Sequence, residues 1–283
     1  MDDALTRLLE RRVQRDPSTP VDRGTVEVWC AQFGDAWPEA TGDRVPTLMF
    51  PTFVRPSAPP RPGEAAATGV VLHDELKRAL DLPVAIAVGC ELRLDGPLHL
   101  GDSLVSVERI AEVGDERATR FGPGREWIIE VATTTTEGVS VGVERFRMLG
   151  YRPGESGGDG ARPVRDAIRP QWSEDVSFDV AAIVRAATAN HVWATAHHDG
   201  AAARAAGLPD VILDTSSQIA LLAGAAQRRR PSTRIRSVDL TMKRPILPGA
   251  AVRIGGIELD DRTTVVATVD DREVSRAHVE FDA

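Results

Sequence analysis

Between Asn190 and Gln227 the chain reads NHVWATAHHDGAAARAAGLPDVILDTSSQIALLAGAAQ, with His191, His197 and His198 set close together and Asp199 directly after them. Imidazoles titrate near neutral pH, so this cluster has the residue types for passing a proton. His191, His197, His198 and Asp199 could also ligate a metal by atom type. An adjacent His-His pair points its side chains apart, however, and no Cys or further His cluster supplies more ligands, so neither metal nor cofactor is expected. Ser216 and Ser217 lack the strand–Gly-x-Ser-x-Gly turn of an activated nucleophile. Proton transfer is the chemistry this stretch supports best, with His197, His191 and Asn190 as the candidate catalytic residues.

The elements around these residues follow from spacing. A short Ala-rich helix after Asp199 is closed by Gly207 and by Pro209 two residues later. Asp214-Thr215-Ser216-Ser217 offers capping oxygens to a longer, nearly uncharged helix. Ile219, Leu222, Ala223 and Ala226 give that helix one apolar stripe. The Arg228-Arg229-Arg230 run suits its C-terminus and could also meet a phosphate.

Earlier in the chain, residues 3–15 read as an amphipathic helix with Leu5, Leu8 and Leu9 on one side. Asp22 is placed to cap a second helix, a Pro-rich loop carries Pro56, Pro59, Pro60 and Pro62, and residues 70–82 form a further helix candidate. Four strand patterns then run to Leu149: AIAVGCELRL, DSLVSVERIAEV, REWIIEVATTTT and VSVGVERFRML. Residues 151–165 are Gly-, Ser- and Pro-rich and read as a linker. The second half repeats helix, loop, helix and four strands: IRSVDLTMKRPI, AAVRIGGIELD, TTVVATVD and EVSRAHVEFD.

Composition sets the outer bounds. A chain of 283 residues can bury one large or two ordinary cores. A net charge of -8 gives no electrostatic support to nucleic-acid or anionic-membrane binding. Cys30 and Cys90 suit buried thiols in a reducing compartment. No apolar run reaches spanning length, and the charged start MDDALTRLLERRVQRDP is no secretory signal. A cytoplasmic protein is expected.

The two halves match in sequence as well as in order. Leu92 to Gly101 lies over Leu240 to Gly249, with both Pro97/Pro245 and Gly101/Gly249 at one offset (245 − 97 = 249 − 101 = 148). Asp22 and Asp179 cap equivalent helices. Thirteen residues on, the first copy has Asp35 and the second Val192; five further, Ala40 stands against His197. One half keeps a carboxylate and the other a histidine.

At these residues the chain resembles the MaoC-like dehydratases and (R)-specific enoyl-CoA hydratases of double-hotdog type. Val192-Trp-Ala-Thr195-Ala-His197-His198-Asp199 takes the place of that family's Asp-x-Asn-Pro-x-His-x-Asp loop, and AAARAAGLPDVIL continues the match. RPILPGAAV and PLHLGDSL match its strand-Pro-x-x-x-Gly-Asp turn. The resemblance implies an α+β fold: two tandem hotdogs, each an antiparallel sheet wrapped round a long helix, packed as a pseudo-dimer. Residues 1–150 would form a first domain with a degenerate site, and 166–283 a second with the active one. The implied activity is reversible hydration of an acyl thioester on CoA or a carrier protein. His197 matches the family histidine, and amides at Thr215-Ser216 would polarise the thioester carbonyl. Val192, Trp193, Thr195, Asp214, Thr215 and Ser216 would face the substrate. The family aspartate does not carry over, and His191 or Asn190 is the expected replacement. Two other outcomes follow from that loss: isomerisation or ring closure in a pocket that excludes water, or a non-catalytic subunit. A homodimer, or a heteromer with another hotdog protein, is the expected assembly.

Overall fold

The computed structural model describes residues 3–34, 37, 42–61, 69–119, 121–153 and 169–282. The first half contains α1 (Asp3–Glu10), β1 (Arg12–Gln14), α2 (Arg23–Phe33), β2 (Arg44–Val45), α3 (Phe50–Phe53) and α4 (Val71–Ala79), followed by strands β3 (Val84–Leu94), β4 (Leu98–His99), β5 (Leu104–Val113), β6 (Arg117–Thr119), β7 (Gly122–Thr135) and β8 (Ser140–Tyr151). The second contains β9 (Trp172–Ser177), α5 (Val180–Ala189), α6 (Gly200–Ala205) and α7 (Thr215–Arg229), then β10 (Ile235–Met242), β11 (Ala251–Glu258), β12 (Arg262–Val269) and β13 (Arg272–Phe281). Of the expected linker, only residues 151–153 are among those described. Asp35 and Ala40 lie outside them.

Apart from β2 and β4, which pair only with each other, both sets of strands join in one antiparallel sheet, in the order β1-β5-β7-β8-β3-β10-β13-β12-β11-β9, with β6 on the edge of β7. The order is symmetric about the β3/β10 seam, as two copies of one unit require. Register proves the point more sharply. Glu91 pairs with Asp239 across the seam, and these are equivalent under the duplication (239 − 91 = 148). A residue faces its own copy only on a two-fold axis, so a pseudo-two-fold passes through this pair. Like charges directly opposite one another are unfavourable. Arg145 reaches Glu91 at 3.3 Å and Arg147 reaches Asp239 at 2.8 Å, which offsets the repulsion. Arg147 also donates to the Leu240 carbonyl at 2.5 Å, passing over Gly89, where a Cβ would stand 2.6 Å from that same oxygen.

The helices lie against one face of this sheet. α7 is buried nearly all round, from Ser217 to Gln227, against β10, β12 and β13. α4, its counterpart, is shorter and covers a smaller core of Leu72, Leu76, Leu82, Ile110, Trp127 and Ile129. The main core belongs to both halves: Val26, Trp29 and Phe50 of the first pack with Ile183, Ile219 and Leu222 of the second. α2 therefore lies against α5 and α7 rather than within its own half.

Two expectations need correction. The helix expected over 3–15 stops at Glu10, and Arg12–Gln14 becomes an edge strand on β5. Leu5, Leu8 and Leu9 still cover the small core, so the apolar spacing was sound and the polar RVQ tail was captured by a free sheet edge. β9, with Trp172 over the second half's outer edge, lacks a strongly apolar pattern and was not foreseen.

Candidate functional site

α5 ends on Ala189 with Asn190 as cap and His191 in the left-handed region (φ 51°). The amide of Val192 donates to Ala187 O and that of His191 to Thr188 O, a Schellman closure. His occupies the position usually given to Gly, one of the few side chains that tolerate it. This turn throws residues 190–193 across the first half, where three hydrogen bonds hold them to α3 and the segment after it. His191 Nδ1–H donates to Thr52 O (3.0 Å), Trp193 Nε1–H to Pro56 O (2.6 Å), and Arg55 Nη1–H to Asn190 O (3.2 Å). Trp193 is stacked between His191 and His198, with centroids 6.0 and 5.7 Å away. Burial lowers the pKa of His191 and so favours its neutral form.

Asn190 is buried and fully engaged. Its Oδ1 accepts from Trp29 Nε1 (2.9 Å), and its Nδ2 donates to Ala186 O (3.2 Å) and Ser217 Oγ (3.0 Å). It ties α2, α5 and α7 together as a strut.

The start of α7 is built by Asp214, which is buried and accepts from both the amide and the hydroxyl of Ser217. That leaves the amides of Thr215 and Ser216, the first two of the helix, without a hydrogen bond among the described residues. Such amides, at the positive end of the helix dipole, can accept a carbonyl or oxyanion. Asp214→Ala is expected to lower stability by about 1–2 kcal/mol, read as a fall in thermal midpoint.

Beside them stands a group that the sequence reading did not select. Arg55 donates to Ser216 Oγ (2.8 Å) and to Glu144 Oε1 (2.8 Å), with side chains only 9% and 4% exposed. Burial raises the Glu144 pKa more than the Arg55 and Arg15 guanidiniums lower it. Glu144, Arg55, Asn190 and Ser216 line an inner cavity of about 10 Å³, which is room for about one water. An outer cleft of about 450 Å³ lies on the first half between Phe53, Val54, Val71, Leu104 and Arg15, and Arg55 lines it as well. One residue, Arg55, thus forms part of the wall of both.

His197 follows a turn of 3-10 helix at Thr195–His197, and its Nδ1 is 2.8 Å from Ile212 O. A carbonyl only accepts, so Nδ1 carries a proton, and in the neutral ring the lone pair is on Nε2. Nε2 makes no hydrogen bond among the described residues. His198 turns the other way, donating from Nε2 to Val192 O (2.6 Å). Asp199 caps α6 through the amides of Ala201 and Ala202. Thr195 is exposed and Val192 half-buried. The structure therefore groups Asn190, Thr215 and Ser216 at the head of α7, and His191 with Trp193 and His198 in the stack. No hydrogen bond or ring contact joins His197 to Asn190 or His191. No group of three or more His, Cys, Asp or Glu among the described residues is placed to hold a metal ion.

The first half has the same helix start with a different occupant. Glu108 on β5, fully buried, accepts from the amides of Val71 (3.1 Å) and Leu72 (2.5 Å) at the head of α4, and from Arg15 (3.0 Å). The donors that are unpaired in the second half are filled here by a carboxylate of the chain itself. The end of α2 and Trp37 of the first half reach α7: a Cβ on Gly224, in the middle of that helix, would lie 3.5 Å from the Trp37 ring and 4.0 Å from Phe33 O. The arginines at the end of α7 are occupied too: Arg228 with Glu174, Arg229 over Trp172, and Arg230 with Leu259 O and Asp260 O.

The architecture is a double hotdog. No family model and no curated protein sequence matches the chain, but solved structures do. It is similar to HtdX of Mycobacterium tuberculosis, with 16% identity and a TM-score of 0.64 over 96% of this chain and 100% of that one. A MaoC-like dehydratase from Phytophthora capsici gives 12% identity and a TM-score of 0.68 over 98% and 97%. Rv0216 of M. tuberculosis, described as having a double hotdog fold, gives 15% and 0.57 over 96% and 95%. No helix among the described residues is long and apolar enough to cross a membrane.

Proposed function

We propose that this chain is a hydro-lyase acting on an acyl thioester carried by CoA or a carrier protein, with its reacting end at the head of α7. The observation that carries the reading is the pair of unpaired amides at Thr215 and Ser216, offered by a helix whose first-half counterpart has had the same donors filled. Developing negative charge on a thioester oxygen is what such amides stabilise. His197, with Nδ1–H fixed on Ile212 O, presents Nε2 to take or give a proton. Trp193, Thr195 and Val192 lie on the same loop and would border the acyl group. Similarity in fold to MaoC-like dehydratases supports the class, and nothing in the reading calls for a cofactor.

The test is hydration of a panel of trans-2-enoyl-CoA thioesters, followed as loss of enoyl absorbance. Turnover is expected, and His197→Ala is expected to lower kcat about 10²- to 10⁴-fold in a folded protein. One observation favours a second reading, a non-catalytic subunit of a hotdog heteromer: the inner cavity has no room for an acyl group. Absence of turnover on every thioester, with a stable hotdog partner on co-purification, would establish that reading instead.

A further inference from the structure

The loop that resembles a hydratase loop has lost its carboxylate at Val192, yet a carboxylate is present at the head of α7 from another direction. Glu144 comes from β8 of the first half, across from Leu92 in the register of β3, and points inward with Leu92 rather than outward with Arg145 and Arg147. It shares the one-water cavity with Ser216 and Asn190, and Arg55 fixes it by one hydrogen bond while holding Ser216 Oγ with another. Resting on the function proposed above, we infer that Glu144 is the proton-handling carboxylate of this site, in place of the missing aspartate, with Arg55 as its positioning residue.

The step balances without any further reactant. The inner cavity holds the water alone, so the acyl chain has to approach from the outer cleft that Arg55 also lines; Glu144 carboxylate takes a proton from the cavity water as that oxygen forms its bond to C3 of the enoyl thioester. The C2–C3 π pair moves to C1–C2, and the charge arrives on the thioester oxygen at the Thr215 and Ser216 amides. That proton is then returned to C2 by way of His197 Nε2, the proton carrier of the function proposed above, so one water is added and both groups are regenerated. A buried carboxyl is suited to both roles, since burial raises its proton affinity toward the working range. The neighbouring charged and titratable groups are Arg55, Arg15 and the buried Cys90 thiol, which burial and Glu144 both keep protonated.

Glu144→Gln keeps an oxygen for Arg55 and removes the base. With enoyl-CoA as probe it is expected to lower kcat at least about 10²-fold, with KM changed far less and the thermal midpoint lowered, because Arg55 loses its counter-charge while keeping an acceptor. Glu144→Asp is expected to restore part of kcat and to move the acid limb of the pH–rate profile. If the Gln variant does not fold, the Asp variant decides: an unmoved acid limb overturns the inference. Retention of parental kcat by folded Glu144→Gln, while His197→Ala is inactive, overturns it and leaves the hydro-lyase reading standing. No turnover by the parent on any thioester removes both.

Discussion

Arg55→Met is expected to lower the unfolding free energy by about 3–5 kcal/mol, a larger loss than removal of most core methyl groups. The reason is what it leaves behind. Glu144 is almost wholly buried, its ion-pair partner is Arg55, and a buried carboxylate without its counter-ion keeps its full desolvation penalty. The double variant Arg55→Met/Glu144→Met is expected to regain most of the loss, because two apolar side chains in place of a buried pair are often neutral or better. The double-mutant cycle, run by urea unfolding, reads the coupling directly.

The pH dependence has a definite sign. In the native protein the Glu144 pKa is raised above its unfolded value of about 4.5, so folding favours the protonated carboxyl. That contribution is complete below the unfolded pKa and is lost as pH rises through the folded one. Removing Arg55, which pulls the pKa down, raises the folded value further. The deficit of Arg55→Met should therefore shrink as the solution is acidified and widen toward alkaline pH. A deficit independent of pH would mean that the cost lies in Ser216 and Asn190, the other partners of Arg55, and not in the charge of Glu144.

Much of this architecture was legible in the residues. The offset of 148 between Pro97 and Pro245 is also the offset between Glu91 and Asp239, which face each other on the pseudo-two-fold. The caps at Asp22, Asp179 and Asp214 form as their side chains suggested, while the cap that Asp199 gives α6 was not read from the sequence. The site was less legible, for a physical reason. Motif reading follows one stretch of chain, and the head of α7 is assembled from three. Arg55 stands in a Pro-rich segment with no periodicity to mark it. Glu144 and Glu108 did carry a signal: in GVERFRM the glutamate shares its parity with Phe146 and Met148, and in LVSVERI with Leu104 and Ile110. A strand places alternate residues on one face, so both carboxylates were bound to point inward. Asn190 and His191 show the converse. Their types suited chemistry, but a helix terminus and a crossing segment needed those hydrogen bonds first.

Glu108→Leu should be about as damaging as the loss of Arg55, at about 3–5 kcal/mol, and it tests how the two halves came to differ. The substitution strips the acceptor from the Val71 and Leu72 amides and the counter-charge from Arg15 together. α4 has few reserves, since it is nine residues long with a valine at its cap position and no side-chain cap of its own. Glu108→Gln keeps an acceptor for one amide and loses the ion pair, so its deficit should be roughly 1–3 kcal/mol. Hydrogen exchange separates the causes. If Glu108 acts as the cap, the protection lost in Glu108→Leu will concentrate in α4 and leave α7 unchanged, because Asp214 caps α7 independently. Uniform loss across the sheet would instead assign Glu108 to general packing of β5. The first outcome gives the asymmetry a cause: with its helix-head donors filled from within, the first half cannot stabilise an oxyanion, and only the second has amides left to do so.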